Sequence, residues 1–447
     1  MDVDAVHAAR VFMGDSLGFH IIFVMFSLTL PILVSWFEFM GIRRKDPKLT
    51  AVAKFWSKIM TVLVITGVIS GTIIALQMSL VWPGILKFGG EVIGLPFMFE
   101  TYFFLIEATF LALYMATWNH KKISPKLHWV FGLFVIFGAT MSAYAITSIN
   151  GWMNSPSGFE VVDGKLVNID VWQAMFSDTA LVEFFHSMPA YYFAVTLVVA
   201  GGYTIKLLRN KYKDRLTKKF TLDWFIIKRL MWFSAAMLVL LVITADITGK
   251  YLAKHEPAKL AAIEVVRETD TNVPMILFGV ATDDGRVVGP HFVIPSGLSV
   301  LAYNSPDAEV KGLNEFPKDE QPPLYVHTLF DIKITIIGVL LAIFALYFYA
   351  YFFNNKWLAK WWVLLPVSTM GVLAIVVIQL GWMLTEIGRQ PWAVRGFLKT
   401  EEAFTKTHDI TTFGYLFPLT YLVLFIVTAL AVKRIIKDES KNTGAKK

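Results

Sequence analysis

WWVLLPVSTMGVLAIVVIQLGWMLTEIGRQPW, residues 361–392, decides the fold. Its first part, 361–384, is a mostly apolar run long enough to cross a bilayer as a helix, which takes about 20 such residues. The run then meets an acid and a cation three residues apart, Glu386 and Arg389, and Pro391 closes the helix. Eight further segments qualify on the same grounds: 17–40, 55–82, 94–117, 127–149, 180–205, 230–246, 324–353 and 411–432. The chain is therefore expected to be all-α, a polytopic membrane protein of about nine transmembrane helices. A polar stretch rich in Pro, Gly, Asp and Glu, residues 247–323, separates the sixth span from the seventh. It is too long for a turn and is expected to be a folded loop with a functional role. Three regions follow: 1–246 with six helices, the loop 247–323, and 324–447 with three helices and a basic tail.

Composition agrees with this reading. Hydrophobic residues make up 56% of the 447 and charged residues 17%, where a soluble domain carries about a quarter charged. The net charge of +7 raises the question of nucleic acid, and the distribution of charge answers it. Connections 41–58, 118–126, 206–229, 354–360 and 433–447 hold 26 Lys and Arg against 5 Asp and Glu. The opposite set, 1–16, 83–94, 150–179, 246–323 and 385–410, holds 14 against 24. Cytoplasmic loops collect Lys and Arg, so the first set is expected inside. The N-terminus and the long loop then lie outside and the C-terminus in the cytoplasm. The basic surplus is topogenic, and no nucleic-acid partner is expected. Residues 1–16 carry Arg10 against Asp2, Asp4 and Asp15, unlike the positive start of a signal peptide, so the first apolar stretch is expected to be a retained helix. There is no cysteine, which excludes disulfides, cysteine-ligated clusters and covalent haem attachment.

Charge at bilayer depth is costly and marks pathways, pairs or cofactors. His20 lies near the outer end of the first span and His186 in the fifth. Either alone is equally well explained as a hydrogen-bonded core residue. Two on different helices, both toward the outer leaflet, favour haem ligation. Glu100 and Glu107 are seven apart on the third span, about two turns, and so share a face that could pass protons. Two acids paired with cations elsewhere is the plainer alternative. Glu183 is one turn before His186. Glu38 is expected at a solvated helix end. Glu386, Arg389 and the tryptophans beside them could clamp an anion or a haem propionate, or simply form an interfacial belt. His327 and Asp331 share a face of the seventh span, with Lys333 offset.

Taken together these residues resemble subunit I of the cytochrome bd-type quinol oxidases, over nearly the whole chain. The motifs that carry the resemblance are GRQPW at 388–392 with Glu386 upstream, KLAAIE at 259–264, and the Glu100–Glu107 pair, in that family's order and spacing. The resemblance implies two haems b and one haem d. It assigns His20 and Glu386 to the two haems of the oxygen-reducing pair, leaving open which carries haem d, and His186 to the low-spin haem. It assigns Lys259 and Glu264 to the quinol site, the loop to quinol binding, and Glu100 and Glu107 to the proton path; Arg389 is counted with Glu100, Glu107 and Glu386 as catalytic, and Trp392 as cofactor-binding. It implies a second membrane subunit, with a very small single-helix subunit as a further partner, in a prokaryotic plasma membrane, with quinol and dioxygen as substrates. One position departs from the pattern: the low-spin haem's methionine is replaced by Lys333, and no methionine occurs from 324 to 369. The amine could ligate iron when neutral; otherwise another group, or none, takes that place, and a haem without sulfur ligation has a lower potential. Two rival functions fit the residues: a bd-like haem protein with another electron donor or a sensing role, and a proton-coupled secondary transporter using the buried carboxylates.

Overall fold

The protein was analysed as a computed structural model that describes residues 3–282, 285–405 and 410–444. Asp2, and Lys446 and Lys447 of the basic tail, lie outside the described residues. Among those described, nine helices are long and apolar enough to cross a membrane. They are Val3–Arg44, Pro47–Leu80, Pro83–Thr117, Pro125–Asn154, Asp178–Leu208, Thr221–His255, Val326–Phe353, Trp361–Ile387 and Ile410–Gly444, numbered first to ninth below. Every segment expected to span is helical. The helices run past the apolar windows at most ends, and the first begins near residue 3 rather than 17. Hydropathy marks the hydrocarbon layer, whereas backbone hydrogen bonding continues until a cap or proline stops it. Asp46 is such a cap: its carboxylate accepts from the Lys48 N–H at 2.9 Å, and Pro47 opens the second helix.

Two compact units make up the chain. The first comprises residues 1–152, 156–180 and 401–447, hence the first four helices and the ninth. Between its fourth and fifth helices a hairpin pairs Glu160–Val162 with Lys165–Val167. Its turn needs two left-handed residues and has them in Asp163 (φ 50°) and Gly164 (φ 73°). The second unit comprises residues 153–155 and 181–400, hence the fifth to eighth helices and the long loop. Its fifth and eighth helices meet backbone to backbone: a Cβ on Gly371 would lie 2.6 Å from the Val198 amide nitrogen. Lipid offers apolar side chains no reason to leave it, so close packing of small residues holds such helices together.

The long loop is folded, as expected, and spans 256–325 because the sixth helix continues to His255. It opens with the helix Pro257–Glu264, continues through two small hairpins, Met275–Leu277 with Phe292–Ile294 and Val280–Ala281 with Val287–Val288, and includes the helix Gly297–Tyr303. Leu260, Ile263, Leu298 and Leu313 bury their side chains together against Val326 and Leu384 of the seventh and eighth helices. Each buried leucine contributes roughly 1.5–3 kcal/mol relative to exposure. The loop is thus pinned on a core of its own, and the helix that carries KLAAIE is its most deeply seated part.

The Gly371 contact is testable. A methyl group there must push the two helices apart, at a cost of about 1–3 kcal/mol. Gly371→Ala should lower the thermal unfolding midpoint in detergent. Gly338→Ala, where no atom lies within 4 Å, should leave it unchanged or slightly raised. Equal midpoints for the two variants would refute the contact.

Candidate functional site

His20 and His186 are held in the same way. The Ser70 hydroxyl donates to the Gly67 carbonyl at 2.9 Å, so its oxygen is left to accept from His20 Nδ1, also at 2.9 Å. The Thr244 hydroxyl donates to the Leu241 carbonyl at 3.3 Å and accepts from His186 Nδ1 at 3.1 Å. A neutral imidazole carries one proton, so placing it on Nδ1 leaves Nε2 with a bare lone pair. That is the form in which histidine binds a metal, with the other nitrogen oriented by a partner. Gly71 makes room at the first: a Cβ there would lie 3.0 Å from His20 Cε1. Among the described residues no three His, Asp or Glu side chains converge as a protein-built metal cage would require. Single histidines with bare Nε2 atoms suit a metal that brings its own equatorial ligands, as haem iron does.

In the second unit, Glu386 and Arg389 pair as their spacing predicts, with Nη2 donating to Oε2 at 2.6 Å. Arg389 is buried, and its Nε and Nη1 have no hydrogen-bond partner. Two buried guanidinium donors facing nothing are costly; a carboxylate such as a haem propionate would satisfy both. Arg389 lines a cavity of about 220 Å³ together with Glu256, Lys259, Gln390 and Trp392. GRQPW and KLAAIE meet at its edge, where a Cβ on Gly388 would lie 3.0 Å from Lys259 Cε. Lys259 is 5% exposed and pairs with Glu256 at 2.5 Å.

Lys259 and Glu264 share a short helix but not a location. Five residues apart, they point to different sides. Lys259 faces the cavity, whereas Glu264 is buried near Asp331, and its Oε2 has no partner. Burial, and then the Asp331 carboxylate, push the Glu264 carboxyl up to about 8. His327 and Asp331 share a face as expected: His327 Nε2 lies 3.3 Å from Asp331 Oδ2, and its Nδ1 donates to the Ile263 carbonyl at 2.7 Å. Lys333 has no hydrogen bond or ion pair among the described residues. Its Nζ lies beside Gly381 of the eighth helix, and its charge is an electrostatic neighbour of His186.

In the first unit, Glu107 is buried with Oε1 unpartnered, and Glu100 is half-buried two turns away and close enough to act on it electrostatically. Glu38 departs from expectation. It is 2% exposed, accepting from the Tyr114 hydroxyl at 2.6 Å and pairing with His128 Nδ1 at 2.6 Å. The first helix runs on to Arg44, which leaves Glu38 well inside its end, where an acid must find partners. Sequence reasoning missed Asn154, Glu256, Ser70 and Thr244. Asn154 and Glu256 were visible as polar residues beside spans. Ser70 and Thr244 carried no signal, because a helical hydroxyl commonly satisfies itself on its own backbone.

Glu264 generates a prediction of its own. A carboxyl held near about 8 is neutral at lower pH and ionises as pH rises through that value. An infrared titration should show a protonated-carboxyl stretch fading around pH 8, and Glu264→Gln should lack it. Loss of that band near pH 4 to 5 would sink the assignment.

With this geometry in hand, similar proteins place the chain. The profile of the cytochrome bd terminal oxidase subunit I family matches residues 8–440. A putative cytochrome bd menaquinol oxidase subunit I of Bacillus subtilis is 32% identical over 94% of each chain. A cytochrome bd ubiquinol oxidase subunit 1 of the same organism is 26% identical over 97% of this chain and 93% of its own. The bd oxidase structure from Geobacillus thermodenitrificans superposes with a TM-score of 0.89 at 36% identity, covering 97% of this chain and 99% of that one. Among the described residues nine helices are long and apolar enough to cross a membrane and two histidines keep bare Nε2 atoms; with a match that runs almost end to end, these lead to one conclusion: the chain belongs to the cytochrome bd terminal oxidase subunit I family.

Proposed function

We propose that this chain is the haem-bearing subunit of a terminal oxidase that takes electrons from quinol and reduces dioxygen to water. Two quinols and one dioxygen give two quinones and two waters. The observation that carries the reading is the matched pair of histidines, His20 and His186, each with Nδ1 occupied and Nε2 bare. Two haems b and one haem d, when bound, supply the electron relay and the oxygen chemistry. His20 and Glu386 hold the two haems of the oxygen-reducing pair, and His186 holds the low-spin haem. The two unsatisfied nitrogens of Arg389 receive a propionate, with Trp392 alongside. Glu386 supplies the carboxylate, and its bond to Arg389 fixes the direction in which it points.

Quinol is bound at the loop, residues 256–325. The Lys259 ammonium orients a quinol oxygen, and Glu264, whose carboxyl sits near about 8, exchanges protons in the physiological range. Glu100 and Glu107 hold and pass the protons consumed in making water. They serve this path in the region 1–246, while 324–447 contributes Glu386 and the basic tail. The loop and N-terminus face outward and the C-terminus faces the cytoplasm, so quinol protons leave outside and protons for water enter from inside. Charge is then separated without a pump. A second membrane subunit completes the complex, and a small single-helix subunit joins it in the prokaryotic plasma membrane.

Three experiments test this reading. Pyridine haemochrome analysis of the purified complex, with its dithionite-reduced spectrum, should give three haems, one of them a chlorin absorbing in the far red; a colourless protein would falsify the proposal. Glu386→Ala should abolish oxygen reduction while the His186 haem stays bound, and full activity in that variant would remove Glu386 from the oxygen site. Lys333 would stand where the low-spin haem has a methionine, and a haem held there without sulfur ligation would have a lower potential. Lys333→Met should raise that potential and move the reduced spectrum toward a His–Met form. Coincident redox titrations of the variant and the unmodified protein would show that residue 333 is not at the iron.

A further inference from the structure

Three side chains from distant segments of the second unit form an unbroken run of hydrogen bonds. Glu183 sits on the fifth helix, one turn before His186. Asn154, the last residue of the fourth helix and fully buried, donates from Nδ2 to Glu183 Oε1 at 3.1 Å. At its other end Asn154 Oδ1 accepts from Lys259 Nζ at 3.1 Å. Lys259 in turn pairs with Glu256, which Arg395 approaches at 3.7 Å. An amide has a donor end and an acceptor end. It can therefore stand between an ammonium and a carboxylate, accepting from one and donating to the other, where an apolar residue or a second carboxylate could not.

The geometry bears on how Lys259 works. A lysine side chain carries about 2 kcal/mol of rotamer freedom on its four-carbon stem, so a free ammonium would sample much of the cavity it lines. Glu256 and Asn154 take two of its three N–H groups and leave one for a ligand. Gly388 admits the stem by lacking a side chain. Asn154 itself is steadied by Glu183, so the orientation of Lys259 is set from the helix that bears His186.

We propose that Asn154 and Glu183 are positioning residues for quinol oxidation, holding the Lys259 ammonium at the cavity edge and tying the loop helix Pro257–Glu264 to the helix that carries His186. The proposal rests on the quinol-oxidase reading above. Neither residue touches quinol; both act through Lys259. What Glu183 contributes is an acceptor atom, so a neutral acceptor of the same shape serves equally well.

The test uses the complete oxidase complex with its haems. Asn154→Leu and Glu183→Ala should each raise KM for a short-chain quinol about tenfold or more, the effect of losing a buried hydrogen bond to a charged group. Glu183→Gln, whose side-chain carbonyl still accepts from Asn154, should stay within about twofold of the unmodified complex. The double variant Asn154→Leu/Glu183→Ala should be no worse than either single one, since both break the same run. Reoxidation of the dithionite-reduced complex by dioxygen bypasses the loop and should be unchanged in all of them. Unchanged KM in Glu183→Ala overturns the proposal, and so does a Glu183→Gln variant as impaired as Glu183→Ala with a shifted potential at the His186 haem, since charge would then be what matters. If Asn154→Leu fails to assemble, the Glu183 pair still decides. An unmodified complex that reduces dioxygen but ignores quinol would instead refute the oxidase reading on which the proposal rests.

Discussion

A backbone N–H or C=O left without a partner in hydrocarbon costs several kcal/mol, and a bare charge costs more. That penalty governs this molecule at each level. It makes the spans helical, because a helix satisfies its own backbone. It lets Pro31, Pro96, Pro189, Pro366 and Pro418 sit inside spanning helices, since neighbouring groups can take over the freed carbonyls. It also makes a partner valuable to a polar side chain at depth. Glu38 finds Tyr114 and His128.

Against that rule the unsatisfied atoms stand out. Glu107 Oε1, Glu183 Oε2, Glu264 Oε2 and two nitrogens of Arg389 are buried without a hydrogen bond. The Nε2 atoms of His20 and His186 carry no bond of their own among the described residues. Glu107, Glu264 and Arg389 are residues with which the chain would move protons, meet quinol or hold haem, whereas others left open, such as Gln77 Oε1, Trp152 Nε1 and Tyr347 Oη, have no such part. Such an open group is available where a ligand or a proton is to arrive. The serine and threonine behind the two histidines do a related job by spending the imidazole proton on Nδ1, which fixes both the tautomer and the plane of each ring.

The loop is a folded element fastened to the ends of the spanning helices. Its helix Pro257–Glu264 is anchored by leucines packed on the seventh and eighth helices, and its lysine is tied through Asn154 to the fifth. The helix points its two ionisable groups in different directions. Lys259 faces a polar cavity with Arg389 and Trp392, and Glu264 faces the His327–Asp331 pair. In the proposed quinol site, orientation of the ring and exchange of its proton would therefore fall on separate sides of one short element.

The sequence by itself determined the nine helices, the folded loop and the family, because each rests on something local: the length of an apolar run, a charge count, or a motif such as GRQPW. It also determined pairs within one helix, Glu386 with Arg389 and His327 with Asp331, since three- and four-residue spacing brings side chains together. It misjudged Glu38, because a hydropathy window ends where polarity begins and not where the helix does. The tertiary structure alone decided what depends on contacts between segments. Ser70 chooses the tautomer of His20 across 50 residues, and Asn154 reaches Lys259 across 105. Neither partner is unusual where it stands in the chain. A hydroxyl or an amide becomes specific only when folding brings a second polar group within hydrogen-bond distance of it in a buried place.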